Sequence, residues 1–301
     1  MRVVFLGNHT VGVTALSVLM ARAEVVGVVA HPPDPEDGIR YQSVFDYAQL
    51  RGLQAIRGKA TEPQVSNFIL MAAPDLIWIT DYRYLLPAHL LSIAPLGAIN
   101  LHPSLLPKYR GRAPINWAIL HGETELGLTA HFVDEGMDSG DIIEQERFDL
   151  TVDEDVGDAL MKLLPLYASV TARILNKLQT GHIVRRKQDH SRASNFPARK
   201  PQDGLINWDQ PSVAILNLIR AVAAPYPGAF TFLGNAKVLV WQACLARRTV
   251  DANAGTVIGY EGRAPVVACG EGALALRKFE VEGSGNDKPE LGSRFTLKEP
   301  K

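Results

Sequence analysis

Asn100, His102 and Asp138 are the residues of this sequence whose types could together do chemistry. The first two open an unbroken stretch, NLHPSLLPKYRGRAPINW from Asn100 to Trp117, entered from the apolar segment Gly97 to Leu101. Alternation along a short strand places an amide and an imidazole on one face where the chain leaves for a loop. A second loop, GMDSGDII from Gly136 to Ile143, offers a carboxylate that could orient or charge the imidazole. An amide, an imidazole and a carboxylate suffice for acyl transfer to an amine. On residue type alone Asp134 and Asp141 compete with Asp138, since any of the three could cap a turn. The bland alternative is that His102-Pro103 ends a strand with its imidazole satisfied by backbone; convergence of several polar groups on one strand end favours a site. Lys108, Arg110 and Arg112 follow on a loop with Gly and Pro, and three cations there suit an anionic ligand such as a glutamate tail or a diphosphate.

The elements that must carry these residues are legible as periodicities. Apolar runs at Val3 to Leu6, Val25 to Ala30, Leu76 to Thr80 and Ala98 to Leu101 lack polar alternation. They interleave with amphipathic stretches at Val11 to Arg22, Ser43 to Arg51, Pro63 to Ala72 and Ile115 to Leu120. This pattern predicts a doubly wound α/β domain with a mostly parallel sheet covered on both faces. Ligands of such sheets bind beyond the carboxyl ends of strands, where Asn100, His102 and Ser104 fall. Two extended segments, Leu128 to Val133 and Asp141 to Phe148, flank the GMDSGD turn, and a helix follows over Asp153 to Leu178 with Pro165 as an expected kink.

Arg185 to Gly204 is polar, basic and broken by Pro197 and Pro201, and reads as a linker between a catalytic domain over 1–184 and a second domain over 205–301. The second domain combines one helix, Pro211 to Ala223, with five short strand-like runs between Ala229 and Arg277, which predicts a small OB-like β-barrel. Fold alone does not say what such a barrel binds. GNHTVG, Gly7 to Gly12, follows the first strand and opens a helix, but it is not GxGxxG and carries no Walker lysine, so a capped strand-to-helix turn accounts for it.

Composition narrows the partners. With 301 residues, 47% of them hydrophobic, the chain can bury one large and one smaller core. Lys plus Arg number 31 against 32 Asp plus Glu, so no global field draws in nucleic acid or an anionic membrane. Cys244 and Cys269 form no CxxC or Cys/His cluster, which excludes a zinc motif and fits free thiols in a reducing compartment. No run approaches the roughly 18 apolar residues of a membrane span, and no signal peptide opens the chain. The expectation is a cytoplasmic protein.

NLHPSLLPKYRGRAPINWAILHGE followed by TAHFVDEGMDSGDII resembles the 10-formyltetrahydrofolate-dependent formyltransferases, with their Asn-x-His pair, SLLPxxRG loop and later Asp in a DxG turn. The resemblance covers nearly the whole chain and includes Ile206 to Trp241 in the second domain. Tyr82 to Leu86 and Arg220 to Phe230 are most similar to the formyltransferase part of the enzyme that makes formylated UDP-4-amino-4-deoxy-L-arabinose, a sugar of lipopolysaccharide biosynthesis. The resemblance implies a stand-alone sugar N-formyltransferase that uses 10-formyltetrahydrofolate as co-substrate and no metal. It implies His102 as general acid, Asn100 as oxyanion donor, and Asp138 as the group that raises the His102 pKa so that it can hold its proton. Folate would lie against Tyr84, Leu85 and Leu86 and against Asp134, Glu135, Gly136, Met137 and Asp138, with Arg112 also in contact. Ser104, Lys108 and Arg110 would meet the acceptor, a nucleotide-linked amino sugar.

Methionyl-tRNA is the second acceptor to weigh. HPPDPEDGIRY, His31 to Tyr41, stands where the tRNA enzymes carry a basic loop, and its three acids against one Arg would repel phosphates. Glycinamide ribonucleotide enzymes usually lack a second domain, and the related hydrolase domain lacks the Asn that stands here at Asn100. A different class of reading makes the second domain a binding module without catalysis, stacking bases or sugars on Tyr226, Phe230 and Trp241; apolar neighbours favour packing roles for these rings, and an intact trio argues for catalysis. A homodimer is compatible with all of this.

Overall fold

In a computed structural model, which describes residues 1–31, 41–247, 251–283 and 289–297, the apolar runs form the middle of one sheet. The chain runs β1 (Arg2–Gly7), α1 (His9–Arg22), β2 (Glu24–Ala30), α2 (Val44–Leu50), β3 (Ala55–Arg57), α3 (Pro63–Ala72), β4 (Leu76–Thr80), α4 (Ala88–Leu91) and β5 (Ala98–His102). Then come β6 (Arg110–Gly111), α5 (Pro114–Leu120), β7 (Glu125–Phe132), β8 (Ile142–Asp149) and α6 (Val156–Gln179). The sheet order is β3-β2-β1-β4-β5-β7-β8. Its first five strands are parallel, and β7 and β8 close the edge antiparallel.

Every residue of β4 is buried, as a parallel strand covered on both faces requires. In β1, Val3 and Phe5 pack into a core shared with α1, α5 and α6, while Val4 and Leu6 face a second core under α3 and α4. Winding reverses between β1 and β4, so the carboxyl ends of β1, β4 and β5 open a crevice at the switch point. Helix α6 starts on a reciprocal cap: Asp155 accepts from the Gly157 and Asp158 amides while Asp158 accepts from the Asp155 amide. Pro165 does not end it.

After the short strand β9 (Asn195–Phe196) of the 185–204 segment, the second domain holds α7 (Ser212–Ala221), β10 (Ala229–Leu233), β11 (Ala236–Leu245), β12 (Val257–Glu261), β13 (Ala264–Ala268), β14 (Ala273–Val281) and β15 (Phe295–Thr296). Except for β9, these strands make an antiparallel sheet in the order β12-β13-β14-β11-β10-β15. It curls into a half-barrel, for the Val257 amide at the head of β12 donates to Ser293 O, just before β15 at the other edge. Its core includes Trp208 stacked on Phe295, 5.5 Å between centroids, under α7.

The segment expected as a linker is a strap. Its β9 pairs parallel with β6, and the Arg110 and Arg112 amides donate to Ser194 O and Phe196 O at 2.8 and 3.0 Å. Trp117 Nε1 donates to Pro197 O at 2.9 Å. The polar composition that reads as a solvated connection is used instead to pair with the loop after His102.

The domains meet where α5 packs on α7. Asn116 Nδ2 donates to Ala221 O at 2.7 Å, and buried Arg220 donates to Glu154 O and Thr151 O, both at 2.7 Å, and to Asn217 Oδ1 at 3.1 Å. Losing charge-assisted bonds to groups that stay partly buried is costly. Arg220→Leu is expected to lower unfolding stability by about 2–4 kcal/mol in urea with an unchanged slope. A change inside about 0.5 kcal/mol, the range of neutral surface substitutions, would remove this contact from the account.

Candidate active site

Asn100 and His102 end β5, and the antiparallel pairing puts His131 of β7 directly opposite Asn100. Register thus brings a third polar side chain to the place that alternation along β5 supplies with two. The turn after β7 brings the fourth. Asp138 sits there at φ 50°, a left-handed conformation, and Gly140 lets the turn close, because a Cβ at that position would lie 1.9 Å from Phe132 O. Gly111 (φ 97°) is equally constrained, with Phe196 O 2.4 Å from where its Cβ would be.

Asp138 is the centre of the cluster. Its Oδ1 accepts from Asn100 Nδ2 at 3.3 Å and lies 3.5 Å from His131 Nε2. Its Oδ2 accepts from the Gly111 amide at 2.9 Å and lies 3.6 Å from His102 Nδ1. Burial pushes this carboxyl up, but the His102 and His131 imidazoles and the Gly111 N–H together hold it well below the usual carboxylate range. Asp138 is therefore a carboxylate throughout the neutral range.

His102 is buried, and its Nε2–H donates to Tyr109 O at 2.8 Å, which leaves Nδ1 on the side of Asp138. Burial pushes its pKa down further than Asp138 pulls it up, so the net direction is below the ordinary imidazole value. This corrects the expectation of a net upward shift. The carboxylate acts in the expected sense, but the depth of the strand end outweighs it, and the resting imidazole is neutral. His131 donates Nδ1–H to Phe132 O at 2.8 Å and receives Asn100 Nδ2 at 3.2 Å on its other nitrogen. The bonds from the Asn100 amide at 3.2 and 3.3 Å are long for N–H donors, so a developing oxyanion can compete for one of them.

Asn100, His102 and Asp138 line one cleft of ≈ 330 Å³, together with Tyr84, Leu85, Arg112 and Met137. Leu86 is buried in the core behind it. Asp134 is not a competitor for Asp138: its Oδ1 accepts from the Gly136 amide at 3.0 Å and Ser139 Oγ at 2.7 Å, so it shapes the turn. Glu135 and Gly136 are exposed on that turn and do not line the cleft.

Ser104, Lys108 and Arg110 are not brought to the cleft. Ser104 Oγ donates to Lys108 O at 2.8 Å, and Lys108 Nζ pairs with Glu123 Oε1 at 3.0 Å. The buried Arg110 guanidinium binds Gln188 Oε1 at 2.6 and 3.2 Å and His190 Nδ1 at 3.1 Å. Proximity in sequence to His102 implies proximity in space but not direction, and this loop turns Arg110 toward the strap and Lys108 toward Glu123.

Five further contributors were not foreseen. Gln188, on the strap, donates from Nε2 to Asp138 O at 2.8 Å and Gly140 O at 2.7 Å, fixing the turn that carries the carboxylate. His131 could have been found by aligning β7 against β5. Arg83, Arg199 and Lys200 line the cleft and supply the cations that Lys108 and Arg110 do not. Tyr226 also lines it, but Phe230 and Trp241 do not, so these aromatics form no joint stacking platform.

Comparison with known proteins places this geometry. Residues 1–170 match the model of the formyl transferase domain, and residues 199–287 match the formyl transferase C-terminal domain. Among solved structures, the sugar 3N-formyltransferase WlaRD, crystallised with dTDP and 5-N-formyl-THF, superimposes with a TM-score of 0.71 at 18% identity, over 94% of this chain and 98% of its own. The N-formyltransferase from Helicobacter canadensis, in complex with folinic acid and dTDP-3-aminofucose, gives 0.70 at 18% identity, over 93% and 100%. Methionyl-tRNA formyltransferase from Clostridium thermocellum gives 0.56 at 17% identity, over 93% and 98%.

Because the folded value of His102 is depressed, its contribution to stability is full above the unfolded value near 6.5 and is lost as pH falls through the folded value. An NMR titration should place its C2–H midpoint below about 6.5. His102→Gln should correspondingly flatten the fall of stability on acidification below that pH. A midpoint above that value would contradict the burial argument.

Proposed function

This chain belongs to the formyltransferase family, and on that premise we propose that it transfers the formyl group of 10-formyltetrahydrofolate to the primary amine of a nucleotide-linked amino sugar. The observation that carries this reading is the Asp138-centred cluster, which presents an amide, a neutral imidazole and a carboxylate to one cleft at the switch point. Residues 1–184 are taken as the catalytic unit, 205–301 as the second domain and 185–204 as the strap that ties them.

A neutral amine attacking a formyl amide builds a tetrahedral oxyanion, and the nitrogen that attacked must lose a proton while the folate nitrogen gains one. Asn100 Nδ2 donates to the oxyanion by exchanging one of its long bonds. His102 is poised for the proton: a neutral ring facing Asp138 takes it on Nδ1, and the resulting imidazolium is stabilised by the carboxylate until the proton passes to the departing nitrogen. This refines the general-acid role, since the proton that His102 donates is one it first collects. Tyr84, Leu85 and Met137 offer the wall for the folate, and Arg112 a charge for its glutamate.

The acceptor reading rests on the other cations of the cleft, Arg83, Arg199 and Lys200, which suit a diphosphate, and on the likeness to two sugar formyltransferases in overall structure. The acidic stretch that argues against tRNA, Asp34 to Asp37, lies outside the described residues, so that argument stands on charge alone. Among the described residues no helix is long and apolar enough to cross a membrane, and both cysteines are free. Both facts support a cytoplasmic enzyme, whose formylated sugar nucleotide suits a step of lipopolysaccharide biosynthesis.

Tetrahydrofolate release, with the protein offered a panel of nucleotide-linked 3-amino and 4-amino sugars beside methionyl-tRNA, tests the reading. Turnover with an amino sugar alone is expected; turnover with the tRNA alone would overturn it, and release without any acceptor would make the chain a hydrolase. Asn100→Ala in the active system is expected to lower kcat by about 10²–10³, the usual effect of one oxyanion donor. Near-normal turnover in a folded Asn100→Ala variant would remove the amide from the mechanism.

A further inference from the structure

The cleft is lined by two acids, Asp138 and Asp81. Asp138 is largely covered, its side chain 14% exposed, and committed to its four neighbours. Asp81 is different: its side chain is 43% exposed, and it follows β4 at φ 57°, a left-handed conformation for a non-glycine residue. His9, which follows the adjacent strand β1, is also left-handed, at φ 62°. Both stand at the switch point, where winding reverses between those two strands.

His9 holds Asp81. Its Nδ1 lies 3.4 Å from Asp81 Oδ2, and its ring is stacked on Tyr41 with centroids 3.6 Å apart and 27° between planes. Tyr41 in turn accepts a bond from Asn8 Nδ2 at 3.2 Å. The imidazole edge thus stands against the carboxylate and limits where Asp81 can turn. The titratable groups that face the pair are Tyr41 beside the ring and, across the cleft, the cations Arg83 and Arg112 and the Asp138–His102 pair.

A ligand that satisfied only the cations of this cleft would be a plain polyanion, and it would be repelled by Asp81. An amino-sugar nucleotide carries both signs: a diphosphate for Arg83, Arg199 and Lys200, and hydroxyls or a protonated amine that donate. We propose that Asp81, positioned by His9, binds a hydrogen-bond donor on the acceptor, its ammonium or a sugar hydroxyl, and so selects acceptors that pair such a donor with a diphosphate. This inference rests on the amino-sugar reading above. Asp81 is a specificity residue, and His9 a positioning residue that acts through it.

The test uses the full chain, 10-formyltetrahydrofolate and whichever amino-sugar nucleotide the wild type turns over. Absence of any such turnover would sink the amino-sugar reading itself and this inference with it, and is read first. Asp81→Asn keeps the shape and tolerates the left-handed backbone. It is expected to raise the acceptor KM at least about tenfold, as loss of roughly 1.4 kcal/mol of binding would, while kcat and the KM for the formyl donor stay within about threefold. His9→Asn should show the same split to a smaller degree. An acceptor KM unchanged in Asp81→Asn, or a loss that falls on the formyl donor, overturns the proposal. Raising the pH through the pKa of the substrate amine separates the two donors: the Asp81→Asn defect disappears if the contact is the ammonium and persists if it is a hydroxyl.

Discussion

One largely covered carboxylate organises this molecule. Asp138 needs compensation because an isolated charge at that depth would protonate; its neighbours come from three places, β5 through Asn100 and His102, β7 through His131, and the loop at Gly111, and the Asn100 and Gly111 N–H groups donate to it. Each of those places is then fixed relative to the others. The glycines at 111 and 140 are consequences of the same demand, since both permit a backbone approach that a Cβ would block. Gln188 completes it by holding the carbonyls of Asp138 and Gly140 while it engages Arg110. The strap between the domains is therefore part of the site's support.

The same cluster explains how a site at a sheet edge can move a proton near neutral pH. A histidine raised by its carboxylate alone would rest as an imidazolium and have no room for the proton of an attacking amine. Burial reverses the balance, so His102 rests neutral beside a group that will stabilise it once charged. Charge elsewhere in the cleft is sorted by position. Cations come from the segments after β4, after β6 and from the strap, and the exposed acid comes from the end of β4.

How far this was legible in the sequence follows from the range of each interaction. The parallel strands, their order of appearance and the placement of Asn100 and His102 at a strand end are local properties, written in unbroken apolar runs and a two-residue alternation. Asp138 could be separated from Asp134 only through resemblance, and the reason is now physical: Asp134 caps its own turn, whereas Asp138 reaches two strands. Arg110 and Lys108 were close to the site in sequence and face away from it, because the direction of a loop side chain depends on partners far along the chain, Gln188 and Glu123. Gln188 itself had no local signal, lying in a stretch whose polarity reads as solvated. His131 was hidden by register, which periodicity alone does not supply.

The most direct measurement is the pH dependence of kcat/KM for the wild type and for Asp138→Asn, with an accepted amine substrate. The account predicts an acidic limb where His102 becomes protonated and can no longer collect the proton; removing the carboxylate should lower the plateau and move that limb to lower pH, because Asp138 is the largest influence raising the His102 pKa. An acidic limb that stays in place in a folded Asp138→Asn variant would show that Asp138 does not govern the proton on His102, and would contradict the central claim.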